Sequence, residues 1–177
     1  ELTKLGISLC VLLVVSEPIF GTVRTVPEQF PTIQLAIASC EEGDTVLVVE
    51  GINEETINFM GNNIVVTSVD HNNHSVVAGT VIKGVSAGSV VSFTDGEDHR
   101  AVLTGFTITG GHGSNDPDYP TVIFGGGIYC RRSSPILKLN VVKNNHVPDA
   151  NGYGGGICCI EASTTIFGNI VQENSAY

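Results

Sequence analysis

The chain writes one unusual phrase twice, as Phe124-Gly-Gly-Gly-Ile-Tyr-Cys130 and again as Tyr153-Gly-Gly-Gly-Ile-Cys-Cys159. Three consecutive glycines weaken the interior of a helix and of a strand alike, so their repetition needs a structural reason. At the offset of 29 residues that aligns the two phrases, Ser134 falls on Ser163, Asn140 on Asn169 and Asn145 on Asn174. Apolar character is also kept at Leu137/Ile166, Val141/Ile170 and Val142/Val171. A period in the twenties with several strand-like pieces per unit is the mark of a β-solenoid.

Side chains alternate across a strand, so Ile128 and Cys130 share one face and Tyr129 takes the other. Stacking the repeats puts Ile128 over Ile157, Cys130 over Cys159 and Tyr129 beside Cys158, at the sheet spacing of about 4.8 Å. The glycines precede this strand, where the chain turns sharply and successive backbones run close. Asn145 and Asn174 are expected to stack at a second corner, since Asn tolerates left-handed dihedrals and bonds the next coil's backbone. A divergent unit, Leu103-Thr-Gly-Phe-Thr-Ile-Thr-Gly-Gly111, lies 34 residues ahead of its counterpart, which predicts a looped-out insertion within Gly111–Val122. Loops of this kind carry function on a regular scaffold.

Short β-branched pieces recur before that, at Thr45–Val49, Glu55–Phe59, Ile64–Thr67, Thr80–Lys83 and Val90–Phe93. One stretch reads as a helix, Pro31–Cys40, with Ile33, Ala36, Ile37 and Cys40 at helical spacing and Gly43 closing it. A lone amphipathic helix ahead of the first coil suits a cap over the end of the core.

Composition narrows the functions. With 8 Lys+Arg against 18 Asp+Glu and a formal charge of −10, the chain lacks the clustered cations that nucleic acid requires, Arg131-Arg132 being the one basic pair. The opening residues, with Lys4, an apolar run over Leu5–Val15 and small residues at Ser16 and Gly21, read as a secretory signal peptide over 1–21. That run is too short to span a bilayer, so no integral membrane segment is expected. A secreted or cell-surface β-solenoid domain over 22–177 follows. Cys10 leaves with the leader. Cys40, Cys130, Cys158 and Cys159 match no zinc spacing, and an interior ladder of thiols at Cys130/Cys159 is preferred to a disulfide.

These features resemble the right-handed parallel β-helix proteins of the pectin-lyase-like superfamily, over roughly residues 25–177. Phe30-Pro-Thr-Ile-Gln-Leu-Ala-Ile37, Gly43-Asp-Thr-Val-Leu-Val48 and Ile64-Val-Val-Thr67 are similar to the amino-terminal cap and first coils of pectinesterases and bacterial repeat proteins. Val142-Lys-Asn-Asn145 and Val171-Gln-Glu-Asn-Ser-Ala-Tyr177 are similar to the repeats of polymorphic outer-membrane proteins. Tyr177 holds the place that Phe124 and Tyr153 hold before the glycine triplets, which leads to the expectation that the domain continues into further coils of the parent chain.

The resemblance implies enzymes that cleave or de-esterify acidic polysaccharides, and each class has a signature. Val122-Ile-Phe-Gly125 keeps the pectinesterase shape, but Thr121 stands where the nucleophilic Asp belongs. Gly111-His112-Gly113 matches one polygalacturonase phrase without the paired acids, which leaves His112 a weak catalytic candidate. Pectate lyases pair calcium with an Arg or Lys base. Asp95, Glu97, Asp98, Asp116 and Asp118 are the calcium candidates and Arg100, Arg131 and Arg132 the bases, although such acid runs are more often solvated turns, the preferred reading here. Asn73-His-Ser75 is a glycosylation triplet. Two readings therefore stand: a non-catalytic module associated with polysaccharide, which is preferred, and a lyase or glycoside hydrolase whose groove is incomplete in this segment.

Overall fold

The computed structural model describes residues 21–148 and 150–177. The expected leader over 1–21, apart from Gly21, and Cys10 lie outside the described residues. β1 (Val23–Val26) and α1 (Ile33–Ala38) lead into a first pass of the chain, β2 (Thr45–Val48), β3 (Gly51–Glu54) and β4 (Ile57–Asn58). The second pass is β5 (Val65–Ser68), α2 (His74–Gly79), β6 (Thr80–Lys83) and β7 (Val91–Phe93). The third runs through β8 (Val102–Thr104) and β9 (Thr107–Thr109), then β10 (Ser114–Asp116) and β11 (Tyr119–Phe124), to β12 (Ile128–Arg131). The fourth holds β13 (Ile136–Lys138), β14 (Val141–Lys143), β15 (His146–Val147), β16 (Gly152–Tyr153) and β17 (Ile157–Ile160). A fifth opens with β18 (Thr165–Phe167), β19 (Ile170–Gln172) and β20 (Ser175–Ala176).

Each of the first four passes places one strand in each of three parallel sheets, and the fifth adds to two of them; the orders are β1-β2-β5-β8-β13-β18, β3-β6-β9-β14-β19 and β4-β7-β12-β17. The protein is all-β in class, built of stacked parallel sheets in an arrangement compatible with a solenoid. Ile128 pairs with Ile157, Tyr129 with Cys158 and Cys130 with Cys159, as the repeat predicts. Because parallel pairing sets the same side chain over its equivalent, the core is a set of apolar files. Val46, Val66, Leu103, Leu137 and Ile166 form one, and Ile57, Val91, Ile128 and Ile157 another.

At the corners the strand ladder stops, and asparagine side chains continue it. Asn145 Oδ1 accepts from Gly111 N at 2.9 Å, its Nδ2 donates to Ile108 O at 3.1 Å, and its own N–H donates to Asn174 Oδ1 at 3.1 Å. At the neighbouring corner Asn140 accepts from Phe106 N at 3.1 Å, donates to Leu103 O at 3.0 Å, and gives its N–H to Asn169 at 2.9 Å. The expectation that the Asn residues themselves turn left-handed is corrected. The positive φ sits one residue earlier, at Leu139 (54°), Asn144 (53°), Gly168 (65°) and Glu173 (54°), which leaves each following Asn free to aim its amide at the previous pass.

The glycine triplets divide two tasks. Gly125 and Gly154 take φ of 60° and 67°, and a Cβ on Gly126 would collide with the Gly155 carbonyl.

The helix predicted over Pro31–Cys40 is shorter, Ile33–Ala38. Thr32 Oγ1 accepts from Leu35 N, and both oxygens of Glu55 accept from Ile33 N and Gln34 N at 2.9 Å. Beyond Ala38 the chain tightens, with Cys40 N donating to Ile37 O at 3.0 Å. Ile33, Ala36 and Ile37 are buried in the core cluster. A second helical turn, α2, was not anticipated by its six residues, two of them β-branched valines. Asn73 of the glycosylation triplet caps it, accepting from Ser75 N at 3.0 Å. Val76 and Val77 are its buried side.

Replacing Asn145 by Ala leaves the Gly111 N–H unpaired in a buried corner and removes the side-chain bond to the Ile108 carbonyl, an expected loss of about 2–4 kcal/mol. Asn174→Ala, at a half-buried position, should lose roughly half as much. Urea unfolding of the two variants beside the parent checks both the size and the order.

Candidate functional site

The predicted insertion is a β-hairpin. β10 and β11 pair antiparallel, Ser114 with Phe124 and Asp116 with Tyr119. The hairpin is also joined to the following pass, since β11 pairs parallel with β16 through Ile123 with Gly152 and Phe124 with Tyr153. It stands against the outward side of the sheet that contains β12. Between them lies a groove of about 320 Å³, with Asn115, Asp116 and Pro117 on the hairpin side and Thr94, Asp95, Tyr129 and Arg131 on the sheet side.

Asp116 organises this groove. Its side chain is fully buried, an expensive place for a carboxylate unless it is paired. The Tyr129 hydroxyl donates to its Oδ2, Arg131 Nε lies 2.5 Å from the same oxygen, and Asp118 N donates to Oδ1 at 2.8 Å. Burial alone would raise the Asp116 pKa, but the Tyr129 hydroxyl, the Asp118 N–H and the Arg131 charge outweigh it and hold the carboxyl below its ordinary value. Burial and the adjacent Asp116 carboxylate push the Tyr129 phenol up, which keeps it a neutral donor.

Arg131 and Arg132 are drawn into the same network. Arg131 also pairs with Asp118, while Arg132 pairs with Asp118 at 2.8 Å and with Glu161 of the next pass at 2.7 Å. The sequence places acids and arginines in separate clusters as calcium ligands and bases. The structure brings Asp116, Asp118, Arg131 and Arg132 together as ion pairs.

The remaining candidates are spent elsewhere. Glu97 is buried and accepts from Gly61 N at 3.0 Å and Asp95 N at 3.1 Å. Asp98 is gripped by Arg100 through Nε and Nη2, and these hydrogen bonds draw its pKa down to about 2. Arg100 also meets Glu42. His112 is exposed, with its N–H donating to Gly88 O at 2.9 Å. Glu97, Asp98, Arg100 and His112 do not line the groove. Among the described residues no group of three or more His, Cys, Asp or Glu side chains is gathered that could hold a metal ion.

Cys40, Cys130, Cys158 and Cys159 are free thiols. Cys130 is buried over Phe93 and under Cys159, and the hydrogen bond to Cys159 together with burial pushes its thiol pKa up. Among the described residues no helix is long and apolar enough to cross a membrane.

Sequence reasoning missed Tyr129, Thr94 and Asn115 as groove walls, and missed the aromatic group beside it. Phe124 stacks on Tyr129 at 5.8 Å between ring centroids and on Tyr153 at 6.0 Å, and Tyr119 meets it edge-on at 5.9 Å. The signal was present, because Phe124 and Tyr153 precede the two glycine triplets at the repeat offset. In comparisons with known proteins, the chain matches no family model, no curated protein and no solved structure.

Since the folded pKa of Asp116 lies below the ordinary Asp value of about 3.9, its contribution is complete above that pH and is lost as pH falls through the lower folded value. Asp116→Asn should therefore destabilise the protein near neutrality by about 1–3 kcal/mol and flatten the acid limb of its stability. Thermal midpoints of parent and variant from about pH 6 to about pH 2 check the sign; parallel curves would separate Asp116 from acid unfolding.

Proposed function

We propose that the protein is a right-handed parallel β-helix module of the pectin-lyase-like kind, secreted or carried at the cell surface, that holds polysaccharide in the hairpin groove without cleaving it. The observation that carries this reading is the mutual engagement of the groove's charges. An arginine that removes a substrate proton must be free to approach it, and Arg131 is already engaged by both Asp116 and Asp118. Asp116 is equally unsuited to proton transfer, being buried and bonded to Tyr129 and Arg131. What remains is a rigid, polar-walled furrow beside aromatic rings, which suits the binding of a sugar chain. The three parallel sheets and the insertion standing on one of them support the same architecture, in which a regular cylinder displays one irregular loop.

Electrophoresis of the purified chain through gels containing soluble plant and bacterial polysaccharides tests the binding, and the ultraviolet absorbance of unsaturated uronates together with released reducing ends tests for cleavage. The expected result is retardation by at least one polysaccharide with no cleavage product. Accumulating product would replace the module by the lyase or hydrolase reading, and free migration in every gel would remove polysaccharide as the partner.

A further inference from the structure

The aromatic group and the charge of the groove together specify what kind of glycan fits. Tyr119 and Tyr153 are 44% and 61% exposed, whereas Phe124 between them is 6% exposed. Phe124 thus acts as the buried backing of a platform whose two outer rings face solvent. Tyr129, stacked on Phe124, belongs to the groove wall as well, so the platform adjoins the groove. Rings held by their neighbours lose little freedom on binding, and their faces suit the C–H faces of pyranose rings.

The charges point the same way. Around the groove stand the carboxylates of Asp95, Asp116, Asp118 and Glu161 against the guanidinium groups of Arg131 and Arg132, four negative groups to two positive. Both arginines are already paired, Arg131 to Asp116 and Asp118, Arg132 to Asp118 and Glu161. A uronate carboxylate entering here would meet surplus negative charge with no unpaired arginine among the described residues around it, on a chain whose formal charge is already −10. Sugar hydroxyls, by contrast, are donors, and the exposed oxygens of Asp95 and Asp118 are acceptors.

We infer that the groove and its tyrosine platform select an uncharged polysaccharide, stacked on Tyr119 and Tyr153 and hydrogen bonded through its hydroxyls to Asp95 and Asp118, and discriminate against polyuronates. This specificity rests on the polysaccharide-binding reading above and turns away from the acidic substrates that the family resemblance implies.

The test is affinity electrophoresis of the full chain against neutral polymers (galactomannan, xyloglucan, mixed-linkage β-glucan) and acidic ones (polygalacturonate, alginate), at low and high salt. Retardation by a neutral polymer, little changed by salt, is expected, with none by the acidic pair. Tyr119→Ala and Tyr153→Ala, both at exposed rings and checked for folding by circular dichroism, should each weaken that binding about tenfold. Retardation by the acidic polymers alone would overturn the inference while leaving polysaccharide binding intact. Tyrosine variants retarded like the parent would overturn the platform. Free migration with all the polymers would overturn the polysaccharide reading itself and this inference with it.

Discussion

Everything in this fold depends on the main-chain hydrogen bonding between one pass of the chain and the next. Parallel pairing in register permits one arrangement of side chains, like above like, and so converts a one-dimensional repeat into files of Val, Ile and Leu, buried from Val46 to Leu137 in one file and from Ile57 to Ile128 in another. The weak points are the corners, where the chain bends and its amides lose their strand partners. There the carboxamides of Asn140, Asn145, Asn169 and Asn174 stand in for the missing backbone, each taking an N–H or giving to a carbonyl of the neighbouring pass. The glycine triplets solve the complementary problem, admitting backbones so close that no side chain fits between them.

Against this regularity the hairpin of β10 and β11 is the exception, and the chemistry collects there. A buried carboxylate is tolerable at Asp116 because three donors converge on it, one from its own turn and two from β12. The result is a groove whose arginines are engaged from within while carboxylate charge remains in excess, and which is short of groups free to exchange protons.

The repeat was legible in sequence because the files it produces require like residues at constant offset. Register, the Cys130/Cys159 and Ile128/Ile157 pairs, the Asn corners and the existence of the insertion all follow from that one constraint. The short helix α2 escaped because six residues containing Val76-Val77 carry too little periodicity to oppose their β preference. The site escaped for a different reason. Asp116 and Arg131 are joined by the folding back of the hairpin, a contact between residues whose separation obeys no period, so their acids and bases read as separate clusters until the geometry shows them neutralising one another. Arg132 and Glu161 illustrate the same point in reverse: a change of charge sign between adjacent repeats, which looks like a lapse in the pattern, is a bond between them.

The double attachment of β11 has a consequence for how the stack behaves as a whole. Solenoids are ordinarily described as beads with nearest-neighbour couplings, each bead able to gain or lose residues in its loops without disturbing the next. Here the strand that closes the insertion of one pass is also the partner of β16 in the following pass, and Phe124 lies against Tyr153 across the same junction. The two passes are thereby joined at the insertion as well as along their sheets, so that a change in the length of one loop would shift the strand on which the other docks. Variation in such a protein would be inherited in pairs of turns, with the excursion and its docking strand drifting together as one heritable cassette.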